Sequence, residues 1–334
     1  MVPFILYLMT YSFEKLIALL NSKLWAYTTL LVLLSSLMMS GCSPAPESVT
    51  QSQGNANVNA NTAVTKFNDV NITFFPYFQG VPIQCDQALI INNEQWHMSE
   101  LAMFFSQFSL NNLNPIILDD NDWQSQQIAL IRYAVDCKRA MENMSVVGII
   151  EGNEDQALQQ SLTRVIANID SNNPSILSFN VGVPFSVNHQ NPLIQASPLN
   201  DSSMFWVWRN GYKFIRWDMQ NDTGDSWSFH LGSVGCESAA MVRAPQKPCA
   251  QPNFIPIEIM LSADSIQVFD MPQDSGSTHS GGAMKKIQIN ISIHLDEIIK
   301  NIMPSKKASC MFSGIDNTTC NKLVKNLRSN AVFK

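Results

Sequence analysis

Charge is scarce in this 334-residue chain: Asp, Glu, Lys and Arg make up 14% of it, and the formal net charge is −6. The 21 cations form no basic run that could follow a phosphate backbone, so nucleic acid is not an expected partner. Glycine-rich phosphate loops, serine-centred nucleophile elbows, HExxH and CxxC motifs are missing, as is any repeat of fixed period. No nucleophile with a base and no acid–base pair stands out. A binding protein rather than an enzyme is therefore expected.

What is present starts with an address. Leu24 to Met39 is an uncharged, leucine-rich run that follows Lys23 and leads into Ser40-Gly41-Cys42. The run is shorter than the roughly 20 residues a spanning helix needs. Small residues before a cysteine resemble the bacterial lipobox, so residues 1–42 read as a lipoprotein signal and Cys42 as the lipidated first residue of the mature chain. Ser43, rather than Asp, resembles lipoproteins sorted to the outer membrane. This implies a periplasmic or cell-surface protein, attached to the membrane through its lipid. The lead before the run is long, and a start at Met9 or an extended n-region accounts for it equally well. Residues 43–65 contain no aromatic residue and are dominated by Asn, Ser, Ala, Thr and Pro. They read as a flexible tether.

From residue 66 to 334 short apolar runs alternate with polar turns. Val70–Phe78, Leu101–Leu110, Ile128–Val135, Val146–Ile150 and Ile176–Val187 read as strands. Asn153–Asn168 and Leu295–Met303 are the clearest helical stretches, and both are short. The expected fold is all-β: an antiparallel β-sandwich with long loops and a few short helices.

Beyond Cys42 six cysteines remain, an even number that in an exported chain reads as a disulfide framework. Fifteen pairings are possible for six cysteines. Proximity favours Cys236 with Cys249 and Cys310 with Cys320, which leaves Cys85 with Cys137. With the thiols so engaged, any metal would be held by His, Met, carboxylate or something less usual.

The densest chemistry lies between Asn188 and Cys236. Two strands are expected about a turn at Asn210-Gly211, with Met204, Trp206 and Trp208 on one face and Phe205 and Val207 on the other. In Trp227-Ser228-Phe229-His230-Leu231 the alternation puts His230 on the face opposite Trp227, Phe229 and Leu231. His189 ends an apolar run and opens a loop containing Pro192 and Pro198, where binding residues tend to be displayed. His97 is ambiguous, His279 reads as an exposed loop residue and His294 as a strand end. Trp25, Trp96, Trp123, Trp217 and Trp227 read as packing residues.

The ordered set Asn188-His189, Pro198-Leu199-Asn200, Met204-Phe205-Trp206-Val207-Trp208, Gly211-Tyr212-Lys213-Phe214, Phe229-His230-Leu231-Gly232-Ser233, Gly235-Cys236 and Cys249 resembles the MbnP family of copper-binding proteins, also known as metallo-mystery pair four-Cys proteins. Gly80-x-Pro82-x-x-Cys85 and Leu101–Leu110 carry weaker echoes. The resemblance implies an exported β-sandwich involved in copper homeostasis or uptake. It also implies one copper ion held by two histidines and a tryptophan oxidised to kynurenine by a dihaem partner of the MauG type, MbnH. Carried over by motif, the ligands are His189 and His230, and the modified residue is Trp206 or Trp208. Opening the indole would turn an apolar ring into an N,O ligand, and imidazole suits copper in either oxidation state. The rival reading is a structural or carbohydrate- or other ligand-binding surface lipoprotein whose tryptophans are packed core or a stacking face, with no metal.

Overall fold

A computed structural model of the chain describes residues 66–111, 114–133, 144–152, 175–262, 264–270, 285–311, 314 and 316–334. The leader with Cys42, the tether, the helix expected over Asn153–Asn168, Cys137, Trp25 and His279 lie outside the described residues.

The chain enters through β1 (Lys66–Phe78), β2 (Val81–Pro82), β3 (Leu89–Ile91) and the long β4 (Glu94–Leu110). Four shorter strands follow: β5 (Asn114–Pro115), β6 (Ile117–Leu118), β7 (Gln124–Ser125) and β8 (Ile128–Tyr133). Next come β9 (Ser145–Gly152), β10 (Ser175–Val181) and the helical turn α1 (Phe185–Asn188). The aromatic unit is β11 (Phe205–Val207), β12 (Gly211–Asn221) and β13 (Ser226–Gly232). The chain closes through β14 (Ile255–Leu261), β15 (Ile266–Asp270), β16 (Lys285–His294), α2 (Leu295–Ile298), β17 (Cys310–Met311) and α3 (Thr318–Leu327).

These strands form two sheets. The smaller runs β15-β16-β1-β9-β6, with β2 on β1, and the larger β14-β10-β4-β12-β13-β17, with the remaining short strands attached to it. Alternation drives the packing: β10 and β14 bury every second residue, as a strand with one face on a core must. The sheets meet through aromatic rings. Phe74 of β1 stacks on Phe105 of β4 at 4.6 Å between centroids and meets Phe179 of β10 edge-on at 5.8 Å.

The sandwich is not wholly antiparallel as expected. β1 pairs with β16 in parallel over nine residues, and β13 pairs in parallel with β17 over two. Side-chain alternation is the same in either direction, so pattern alone could not reveal this. The strand expected over Ile176–Val187 stops at Val181. Gly182 follows with φ +131°, and a Cβ there would lie 2.9 Å from the Phe214 ring, so the chain turns where only glycine fits. The helix expected over Leu295–Met303 is confined to α2. Cys236–Cys249 and Cys310–Cys320 are disulfides as proximity favoured, and Cys85 is also disulfide-bonded.

Candidate metal centre

The site is built on the face of the large sheet turned away from the core. Along β12 and β13 the inward residues Trp217, Trp227 and Phe229 are fully buried in the core, and Trp217 meets Trp227 edge-on at 5.1 Å. The intervening residues Arg216, Asp218, Ser228 and His230 point the other way. A polar outer face would ordinarily be wet. Here the segment Ser202–Val207 lies over it: Lys213 Nζ donates to the Ser203 carbonyl (2.8 Å), and Arg132 pairs with Glu100 (3.1 Å) and Asp201 (2.6 Å). His230 is only 7% exposed, with the Trp206 ring of that segment against it at 6.0 Å.

His230 Nε2 donates to Asp218 Oδ1 at 2.8 Å, while Arg216 Nε donates to Oδ2 at 2.9 Å. Burial pushes the Asp218 carboxyl up, but the hydrogen bonds from His230 and Ser228, the charge of His230 and the bond from Arg216 outweigh it and hold the carboxyl well below its usual range. An ionised carboxylate can only accept, so Nε2 carries the proton. His230 Nδ1 is then the second ring nitrogen, buried and without a hydrogen-bond partner among the described residues.

His189 stands at the end of α1, 4% exposed. Its Nδ1–H donates to the Trp208 carbonyl (3.0 Å), which leaves Nε2 as the acceptor of an Asn188 Nδ2–H (3.2 Å). Burial lowers the pKa of this imidazole, only partly opposed by the Trp208 carbonyl, so it is held neutral. Asn188 is itself fixed, donating to Ser233 Oγ (3.2 Å) and accepting from Tyr212 N (2.9 Å). The close approach depends on Gly211, at φ +75°, where a Cβ would fall 2.5 Å from both the carbonyl and side-chain oxygens of Asn188. Cys249 Sγ lies 3.8 Å from His189 Nε2.

Both histidines thus donate one ring N–H to an oxygen, as imidazole ligands typically do; the other nitrogen of His230 is without a partner among the described residues, and that of His189 meets only the Asn188 amide and the Cys249 sulfur. Their donor chemistry fits a copper ion. The MbnP family profile matches residues 67–312. The chain belongs to the MbnP family. A solved structure, MbnP from Methylosinus trichosporium, is similar with a TM-score of 0.56 at 18% identity, over 77% of this chain and 87% of that one. At that identity the likeness is one of fold. No curated protein matches the chain.

Within this MbnP fold the expected site residues divide. Trp206 is half-buried, with its ring 6.0 Å from the His230 ring in an edge-on contact and Lys213 Nζ 5.3 Å from its centroid. Trp208 is 37% exposed, and it meets the site through its backbone carbonyl, which accepts from His189 Nδ1. Met204 does not share a face with them as expected. It ends a 3-10 turn, Ser202–Met204, and is fully buried, because that turn breaks the alternation before β11 begins. Among the described residues, three or more His, Cys or carboxylate donors gather within 4.8 Å of one another only at His189, Cys236 and Cys249, and His230 is outside that group. The two sulfurs there are joined, so they offer no thiolate in this state. His97 is exposed beside Asp222 (3.0 Å), and His294 closes β16.

Sequence reading missed Asp218, Asn188 and Lys213. Asp218 could have been noticed as a lone acid alternating with Trp217 and Met219, but its pairing with His230 requires the β12–β13 register.

Proposed function

We propose that this MbnP-family protein is an exported, lipid-anchored, non-catalytic copper-binding protein of copper homeostasis or uptake. One copper ion is its cargo. His189 Nε2 and His230 Nδ1 are the imidazole donors. The single observation that carries this reading is the shared state of the two histidines: each is buried and has its other ring nitrogen committed to an oxygen, by a carbonyl in one case and an ionised carboxylate in the other. A buried ring nitrogen without a partner is costly unless something meets it, and His230 Nδ1 is such an atom among the described residues.

Of the two tryptophans, Trp206 is the better modified residue, because its ring rather than its backbone meets a ligand histidine. Oxidation to kynurenine by a dihaem MauG-like partner would add an aryl amine and a carbonyl oxygen at that place. Copper, when bound, supplies the demand for nitrogen donors that fixed imidazoles meet without reorganisation. The test is metal analysis of the purified protein, with mass mapping of the Met204–Lys213 peptide after coexpression with the dihaem partner. We expect about one copper per chain, lost in the His189→Ala/His230→Ala double variant, and a mass change on Trp206. Retention of copper by the double variant would sink the assignment.

A further inference from the structure

The disulfide Cys236–Cys249 does not merely close a loop; its sulfurs stand against a ligand histidine. The ligating atoms of His189, Cys236 and Cys249 all lie within 4.8 Å of one another, and Cys249 Sγ is 3.8 Å from His189 Nε2. An ion that binds sulfur at about 2.3 Å and imidazole at about 2.0 Å holds those two donors about 3.5 to 3.7 Å apart. The observed separation is already close to that. The imidazole is also presented correctly, since its proton is on Nδ1, committed to the Trp208 carbonyl, and Nε2 faces the sulfur. Cys249 is buried whereas Cys236 is only half-buried, so a reductant has one sulfur to attack.

We propose that Cys236, Cys249 and His189 form a second, redox-gated metal site, latent in the disulfide state and competent for Cu(I) once the bond is reduced. The reductant is a dithiol. It gives two electrons and two protons, the Cys236–Cys249 bond breaks to two thiols, and the dithiol closes to its own disulfide. Cu(I) then displaces the two thiol protons and is bound by two thiolates and the neutral imidazole, a soft set suited to a monovalent d10 ion. His189 Nε2 is common to this site and the two-histidine copper site, so only one can be filled at a time; His230 and a modified tryptophan belong to the latter alone and the two cysteines to the former alone, so each reading can fail while the other stands.

The experiment uses the mature protein, treated anaerobically with an immobilised dithiol, filtered, and titrated with Cu(I) against a coloured Cu(I) chelator. Thiolate-to-copper charge-transfer absorption and far-ultraviolet circular dichroism are followed alongside. Reduced wild type is expected to gain at least tenfold in Cu(I) affinity over the oxidised protein and to develop the charge-transfer band. Cys310→Ala/Cys320→Ala should keep that gain, and reduced His230→Ala, whose oxidised baseline is itself lowered by loss of a copper donor, should still develop the charge-transfer band. Cys236→Ser/Cys249→Ser should lose it, and His189→Ala should cut it severalfold. The proposal is overturned if Cys236→Ser/Cys249→Ser retains the gain, if His189→Ala leaves it unchanged, or if reduction of the Cys310→Ala/Cys320→Ala protein abolishes its β signal, since His189 would then no longer be held beside the thiols.

Discussion

The two faces of β12 and β13 carry the same kinds of residue to opposite ends. Inward, Trp217, Trp227 and Phe229 make a dry aromatic layer, and Trp227 Nε1 donates to the Ala308 carbonyl (3.0 Å). Outward, one residue away in sequence, Arg216, Asp218 and His230 make a charged hydrogen-bonded group that Trp206 and Lys213 cover. The inner face is buried apolar packing, and the outer one is a half-buried set of donors and acceptors around the buried His230, whose Nδ1 is left without a partner among the described residues. A tryptophan on the first face is scaffold, and a tryptophan over the second is within reach of chemistry.

Breaking the inner face should cost the most. Trp227→Ala leaves a large cavity and an unpaired Ala308 carbonyl, and we expect a loss of about 3–5 kcal/mol in urea-induced unfolding. A fall below about 1 kcal/mol would mean the inner layer is not the scaffold described.

The seam between the faces is expected to be next. Gly211→Ala places a Cβ against Asn188 at a left-handed φ, which should cost about 1–3 kcal/mol and loosen His189. A change in the His189 imidazole signals by nuclear magnetic resonance, larger than that of the His230 signals, would show that the seam holds the first histidine in particular.

The outer face should give the smallest effect and the clearest dependence on pH. Asp218 and Asp201 both have folded carboxyl pKa values below the ordinary value of 3.8. Their stabilisation is therefore complete above about pH 4 and is lost as the pH falls through the folded values, where the native state must take up protons. Asp218→Asn should lower stability at neutral pH by about 1–3 kcal/mol and flatten the acid limb of stability against pH. An acid limb as steep as that of wild type would assign the dependence to other carboxylates.

How much of this was legible beforehand depends on the range of the interaction. Alternation within Ser226–Gly232 is local, so the outward direction of His230 could be read from five consecutive residues. The disulfides Cys236–Cys249 and Cys310–Cys320 close loops of 13 and 10 residues and were legible for the same reason. Met204 was misplaced because a three-residue 3-10 turn interrupts the period that the reading assumed. The burial of His230 was not legible at all, since it comes from a separate segment laid across the strand.

The sequence by itself determined the all-β class, the candidate histidines and tryptophans, and two cysteine pairs, because each follows from local periodicity, motif order or short loop closure. Only the tertiary structure decided that β1 and β16 run parallel, that Asp218 sets the proton on His230, that Trp206 rather than Trp208 brings its ring to a histidine, and that a disulfide sulfur touches His189. Those outcomes depend on register and on contacts between strands far apart in the chain, where every candidate partner has the same local pattern and only the packed sheet selects one.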